Sequence, residues 1–142
     1  HKPDPMFTEV FNMAQDVARE TGGAFDITVA PLVNAWGFGF KKGTFPTAHT
    51  IDSLRRLIGY GKVKMVEGRV VKADPRLMLD CSAIAKGYGS DVVAGYLRSR
   101  GVENFMVEIG GMRSGIYSPR SPASPLTTAS ASEAVGALWF VL

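Results

Sequence analysis

The sequence predicts an α/β (α+β) fold, helices packed against a mixed sheet, and three patterns in its 142 residues carry that expectation. Apolar residues recur at spacings of three and four over Met6–Glu20, a similar face recurs over Thr50–Ile58, and Ala83–Arg100 reads as a third helix. Residues 62–73 alternate around a Glu67-Gly68 turn, while Leu77–Asp80 and Phe105–Ile109 are apolar runs of strand length. Helical and strand segments follow one another along the chain, the order expected of a sheet covered by helices.

Each element has its own justification. Phe7, Val10, Phe11, Ala14, Val17 and Ala18 give the first helix a single apolar face. Gly22-Gly23 stops it, because glycine takes the left-handed conformation at a helix C-terminus at little cost. Residues 24–46, rich in aromatics, Gly and Pro, are expected to be extended and irregular. Thr50 is read as the N-cap of the second helix, with Ile51, Leu54, Leu57 and Ile58 on one face. Val63 and Met65 before the turn, and Val70-Val71 after it, predict a β-hairpin. Leu77–Asp80 then leads as a short strand into the third helix, which Gly101 ends. Phe105–Ile109 is predicted to be a buried strand closed by Gly110-Gly111. From Arg113 onward Ser, Pro, Thr and Ala dominate, with little to bury, the composition of a linker or tail. The expected organisation is a patterned part over 1–112 and a low-complexity tail over 113–142.

Composition removes several function classes. A hydrophobic content of 46% and a charged content of 20% are those of a globular domain, and a compact chain of this length buries about 70% of its unfolded surface. No apolar run approaches the roughly 20 residues of a membrane helix. The net charge of +3 is spread without a basic block or an aromatic-interleaved basic stripe, so no nucleic acid is expected as partner. The single cysteine, Cys81, excludes an internal disulfide and a multi-cysteine zinc site, and reads as a small buried hydrophobe. His1 and His49 lack metal-ligand spacing. The first residues carry no charged-then-apolar leader, so no targeting signal is read there.

Three stretches remain for chemistry. Gly87-Tyr88-Gly89 starts a G-x-G but continues to Val92 inside a helix. No G-x-x-x-x-G-K-[ST] loop and no G-x-S-x-G elbow exists, so dinucleotide-fold, P-loop and serine-hydrolase motifs all fail. Asp80 stands at the predicted strand's C-terminal end, the position where open sheets bind ligands. Ala83-Ile84-Ala85 would offer backbone groups in the first turn of the following helix, and Lys86 could add a point charge to a phosphate. The alternative is a helix capped by Asp80 or Ser82, with Lys86 in solvent. In Gly22-Gly23-Ala24-Phe25-Asp26 the glycines and Phe25 are explained by a helix end and a buried ring, but Asp26 is an acid in an apolar run. It needs a partner: Thr28, a backbone donor, or a ligand hydroxyl or ring N–H. Trp36-Gly37-Phe38-Gly39-Phe40 reads as core in preference to an aromatic wall for a flat ring.

Together TGGAFDITVAPLVNAWGFG, LDCSAIAKGYGSDVVAGYL and NFMVEIGG resemble, in order and spacing, the ApbE family of FAD:protein FMN transferases over roughly residues 5–112. That resemblance implies FAD as substrate, Mg2+ as cofactor, and transfer of FMN to a threonine of an acceptor protein with release of AMP. It also implies a location in the bacterial periplasm or cell envelope. By position, Ala24, Phe25, Asp26 and Asp80 would contact FAD, Lys86, Gly110 and Gly111 would lie near its phosphates, and the Ala83 backbone carbonyl would ligate magnesium. No catalytic residue is assigned. Met112 stands where the family has an acidic residue, and the family's later blocks, with an aspartate and a threonine that complete the metal site, have no match after Gly111. The expectation is the central part of a transferase, incomplete at both ends and inactive by itself. An FAD-binding module without transferase activity is the alternative, and a structural fragment whose glycine turns only end helices is a third. The flavin assignment requires the segments near residues 25 and 80 to meet.

Overall fold

A computed structural model describes residues 3–38, 45–116 and 127–129, the last three and Ile116 by their backbone. The chain divides into two units, His1–Cys81 and Ser82–Leu142.

The first unit opens with α1 (Pro5–Glu20). Asp4 caps it, its Oδ1 accepting the Phe7 N–H at 2.8 Å, and Pro5 occupies the first helical position, where a missing N–H costs nothing. The buried face is Val10, Phe11, Ala14 and Ala18; Val17, predicted on that face, is 38% exposed. Gly22 (φ +60°) and Gly23 (φ +85°) end α1 as predicted, with the Gly23 N–H returning to the Ala18 carbonyl at 2.8 Å.

Residues 24–46 are not simply irregular. Ile27–Val29 form a 3-10 turn and Ala30–Ala35 form α2, so that expectation is corrected over 27–35. The Gly/Pro content misled: Pro31 sits in the helix's first turn, where proline is favoured. Trp36 (44% exposed) and Phe38 (85%) are not core, contrary to expectation, while Gly39 and Phe40 lie outside the described residues. The Trp36 ring stands edge-on to Phe45, centroids 6.0 Å apart.

Next comes α3 (Ala48–Arg55), capped by Thr47 rather than Thr50: the Thr47 hydroxyl accepts the Thr50 N–H at 3.2 Å. The hairpin stands where predicted, β1 (Val63–Val66) antiparallel to β2 (Arg69–Lys72). Its turn residues Glu67 (φ +49°) and Gly68 (φ +68°) are both left-handed, the geometry that matches the twist of paired strands. Leu77–Asp80 is not a strand; among the described residues it has no ladder partner, although Leu77 is fully buried.

The second unit is α4 (Ser82–Ser99) on a three-stranded mixed sheet. Central β3 (Phe105–Ile109) pairs antiparallel with β4 (Met112–Ile116) and parallel with β5 (Thr127–Ala129). Phe105 and Val107 are buried with Ala94 of α4, and Val93, Leu97, Val102 and Ile109 pack around them. Gly101 (φ +78°) ends α4 as expected. Residues 113–116 of β4 and all of β5 fall in the stretch read as a low-complexity tail, so that expectation is corrected there: pairing with β3 makes them strands despite their composition.

Candidate functional site

In the first unit, the end of α1 folds back on itself. The Thr21 hydroxyl donates to the Val17 carbonyl at 2.8 Å and accepts the Phe25 N–H at 3.1 Å, fixing the chain that carries Ala24 (exposed), Phe25 and Asp26 (both half-buried). Gly23 faces the Tyr60 ring so closely that a Cβ there would lie 3.4 Å from Tyr60 Cε1.

Asp26 finds the partner its burial demands in Thr28. Its Oδ1 accepts the Thr28 N–H at 2.8 Å and the Thr28 hydroxyl at 2.7 Å, so the carboxylate caps the short turn that follows it. The Thr28 hydroxyl, fully buried, also accepts the Gly59 N–H at 2.8 Å. Gln15 of α1 reaches the same turn, its side-chain amide donating to the Tyr60 carbonyl at 3.2 Å. Gly59 and Tyr60 belong to this arrangement and the sequence gives no signal for either.

The segments near residues 25 and 80 do meet. The Asp80 N–H donates to the Ile27 carbonyl at 2.7 Å, which sets the half-buried Asp80 beside the Asp26–Thr28 turn within one unit. Asp80 reaches this place as extended chain and not as the end of a strand. Beside it Cys81 is 5% exposed; burial pushes its thiol pKa up, and the Asp80 charge pushes it further.

In the second unit, Ala83 is exposed in the first turn of α4 and Lys86 follows one turn later. Gly110 (φ +53°) and Gly111 (φ +86°) form the two-residue turn between β3 and β4. The Lys86 side chain lies across this turn: a Cβ on Gly110 would stand 3.0 Å from Cδ, 3.3 Å from Cε and 3.4 Å from Nζ. Among the described residues nothing lies within 4 Å of the same position on Gly111. The buried Ser90 hydroxyl sits 3.2 Å from both the Lys86 and Met112 carbonyls, holding the helix to the start of β4. The structure thus brings Lys86 and Gly110 together, the ammonium lying over the turn backbone.

A magnesium ion wants six or so hard oxygen ligands. Among the described residues no group of three or more His, Cys, Asp or Glu side chains could hold a metal ion, and the Ala83 carbonyl is a single oxygen within a helix. Magnesium completes its six oxygens largely with water and substrate phosphate, so the Ala83 carbonyl has the chemistry of one such ligand. Among the described residues, too, no helix is long and apolar enough to cross a membrane.

Known proteins share the sequence and the fold of this chain. The FAD:protein FMN transferase of Vibrio cholerae is 42% identical over 116 residues, covering 78% of this chain and 34% of that protein. The protein of the same name from Haemophilus influenzae is 38% identical, covering 74% of this chain and 32% of its own length. Among solved structures, flavin transferase ApbE from Vibrio cholerae superposes with a TM-score of 0.72 at 42% identity, over 76% of this chain and 36% of that one. The apo form of Pseudomonas stutzeri flavinyl transferase ApbE gives 0.75 at 33% identity, over 81% and 37%. The chain spans about a third of the length of the curated relatives it matches. With the ApbE family profile matching residues 1–123, and with helices and a small mixed sheet shared with ApbE structures, the chain belongs to the ApbE family.

Proposed function

We propose that the protein containing this segment transfers FMN from FAD to a threonine hydroxyl of an acceptor protein, in the periplasm or cell envelope, with magnesium as cofactor. The observation that carries this reading is the 2.7 Å hydrogen bond from the Asp80 N–H to the Ile27 carbonyl, which joins two segments assigned to one flavin dinucleotide. Relatives bearing the name FAD:protein FMN transferase, at 42% and 38% identity, support the reaction class.

In this reaction the threonine oxygen forms a bond to the FMN phosphorus and the pyrophosphate P–O bond breaks. AMP leaves with the bonding electrons, and the hydroxyl proton passes to a base. Ala24, Phe25, Asp26 and Asp80 are proposed to bind and orient FAD, and Lys86 with the Gly110-Gly111 backbone to hold phosphate charge. Such positioning and charge compensation supply most of the acceleration in phosphoryl transfer. The Ala83 carbonyl is proposed as one magnesium ligand, the remaining ligands coming from elsewhere in the whole protein. The second reading is an FAD-binding module without transferase activity, which the contact between the Asp80 and Ile27 segments supports equally.

The full-length protein, incubated with FAD, magnesium and a threonine-bearing acceptor, should yield covalent flavin fluorescence on the acceptor and one AMP per flavin. Binding of FAD without label on any acceptor threonine would leave only the second reading. No FAD binding at all would end both.

A further inference from the structure

Asp26 is a carboxylate with its two oxygens treated differently. Oδ1 receives both the Thr28 N–H (2.8 Å) and the Thr28 hydroxyl (2.7 Å), while among the described residues Oδ2 accepts no hydrogen bond. The Thr28 hydroxyl is fully buried, so no water competes for it. It accepts the Gly59 N–H at 2.8 Å, and that bond turns its own proton toward Asp26. Gly59 has φ +146°, a conformation that side-chain-bearing residues rarely adopt, so the donor at the start of the relay is fixed by the residue type. A relay from the Gly59 N–H through the buried Thr28 hydroxyl to the half-buried Asp26 Oδ1 therefore restrains the rotation of the carboxylate.

We propose that Thr28 is a positioning residue for ligand binding: it clamps Asp26 Oδ1 so that Oδ2 is presented, already oriented, to a hydroxyl or ring N–H of the bound dinucleotide. The proposal rests on Asp26 being a contact for FAD. A clamped acceptor binds more tightly than a free one because less rotational freedom is lost on association. Thr28 touches no ligand itself; its effect passes through Asp26.

The test uses the full-length protein, with FAD affinity measured by titration calorimetry and thermal unfolding followed in parallel without ligand. Thr28→Val keeps the shape and removes the hydroxyl; it should weaken FAD binding by about fivefold to tenfold. Asp26→Ala should weaken it at least as much, and the double variant should bind no worse than Asp26→Ala alone. Thr28→Ser keeps the hydroxyl and should retain wild-type affinity even though the lost methyl lowers thermal stability. Unchanged affinity in Thr28→Val, or losses that multiply in the double variant, would overturn the clamp. Should Thr28→Val fail to fold, Thr28→Ala takes its place: an about fivefold to tenfold loss of FAD affinity supports the clamp, and unchanged affinity refutes it. If Asp26→Ala binds FAD normally, the Asp26 contact falls and the clamp with it, an outcome distinct from an Asp26 effect that Thr28→Val does not share.

Discussion

Replacing Gly115 by alanine tests whether residues 112–116 belong to the folded unit. Gly115 lies opposite Met106 in the β3–β4 ladder. A Cβ added there would stand 2.4 Å from the Phe105 carbonyl oxygen, 3.0 Å from the Met106 Cα and 3.3 Å from the Phe105 carbonyl carbon. All three atoms are backbone, so no change of side-chain rotamer relieves the contact. Reaching an ordinary van der Waals separation of about 3.5 Å would push the strands apart by roughly 1 Å. A ladder hydrogen bond lengthened by that much passes beyond about 3.2 Å and is largely lost. Two weakened bonds at about 1 kcal/mol each, with overpacking of about 1–3 kcal/mol, give an expected destabilisation of about 3–5 kcal/mol. Gly111→Ala is the control: φ is +86° there but nothing lies within 4 Å, so only a backbone cost of about 1–2 kcal/mol is expected. Urea unfolding of the chain followed by far-ultraviolet circular dichroism measures both, the midpoint being compared at constant slope. A Gly115→Ala variant no less stable than Gly111→Ala would refute the β3–β4 register.

Other perturbations follow from single contacts. Gly110→Ala presses a methyl into the Lys86 side chain while Gly111→Ala does not, so the first should weaken FAD binding in the full-length protein by roughly two- to fivefold more than the second. Equal effects would remove Lys86 from the phosphate site. The Asp74 carboxyl is held at about 2, below its ordinary 3.8, first by the Arg76 guanidinium hydrogen bond and then by the Arg76 N–H. Its stabilising contribution is therefore complete above about 3.8 and fades as pH falls toward about 2. A carboxyl-carbon NMR titration should show that low midpoint, and Arg76→Ala should return it toward 3.8. Cys81, buried and with its thiol pKa raised, should react slowly with a thiol reagent in the native chain and rapidly in urea. Equal rates would place it at the surface.

Elements encoded by local pattern were legible: α1 by its 3.6-residue period and glycine stop, the hairpin by alternation around Glu67-Gly68, and α4 and β3 by their apolar runs. Where proline or repeated threonines allow two local answers, the choice went astray. Pro31 opens a helix where a Gly- and Pro-rich stretch suggested none, and Thr47 caps where Thr50 fits the pattern nearly as well. Strand state is decided by partners remote in sequence. Leu77–Asp80 has strand composition but no ladder, whereas Met112–Ile116, with Arg, Ser and Gly, becomes a strand because the Gly110-Gly111 turn folds it onto β3. The site followed the same rule. Asp26 in an apolar run announced that it needed a partner, and Thr28 lay two residues away. Gly59, 31 positions along the chain, leaves no local trace of its bond to Thr28.

The parallel pairing of β3 with Thr127–Ala129 has a consequence for synthesis. A nascent chain that has delivered β3 and β4 to the cytosol or translocon still exposes the far margin of β3, beside Phe105 and Val107, until the later strand emerges. An open strand margin is a template for pairing with other chains. Release from the ribosome before residue 129 would leave that margin uncovered, so premature termination here should be met by chaperones or proteases.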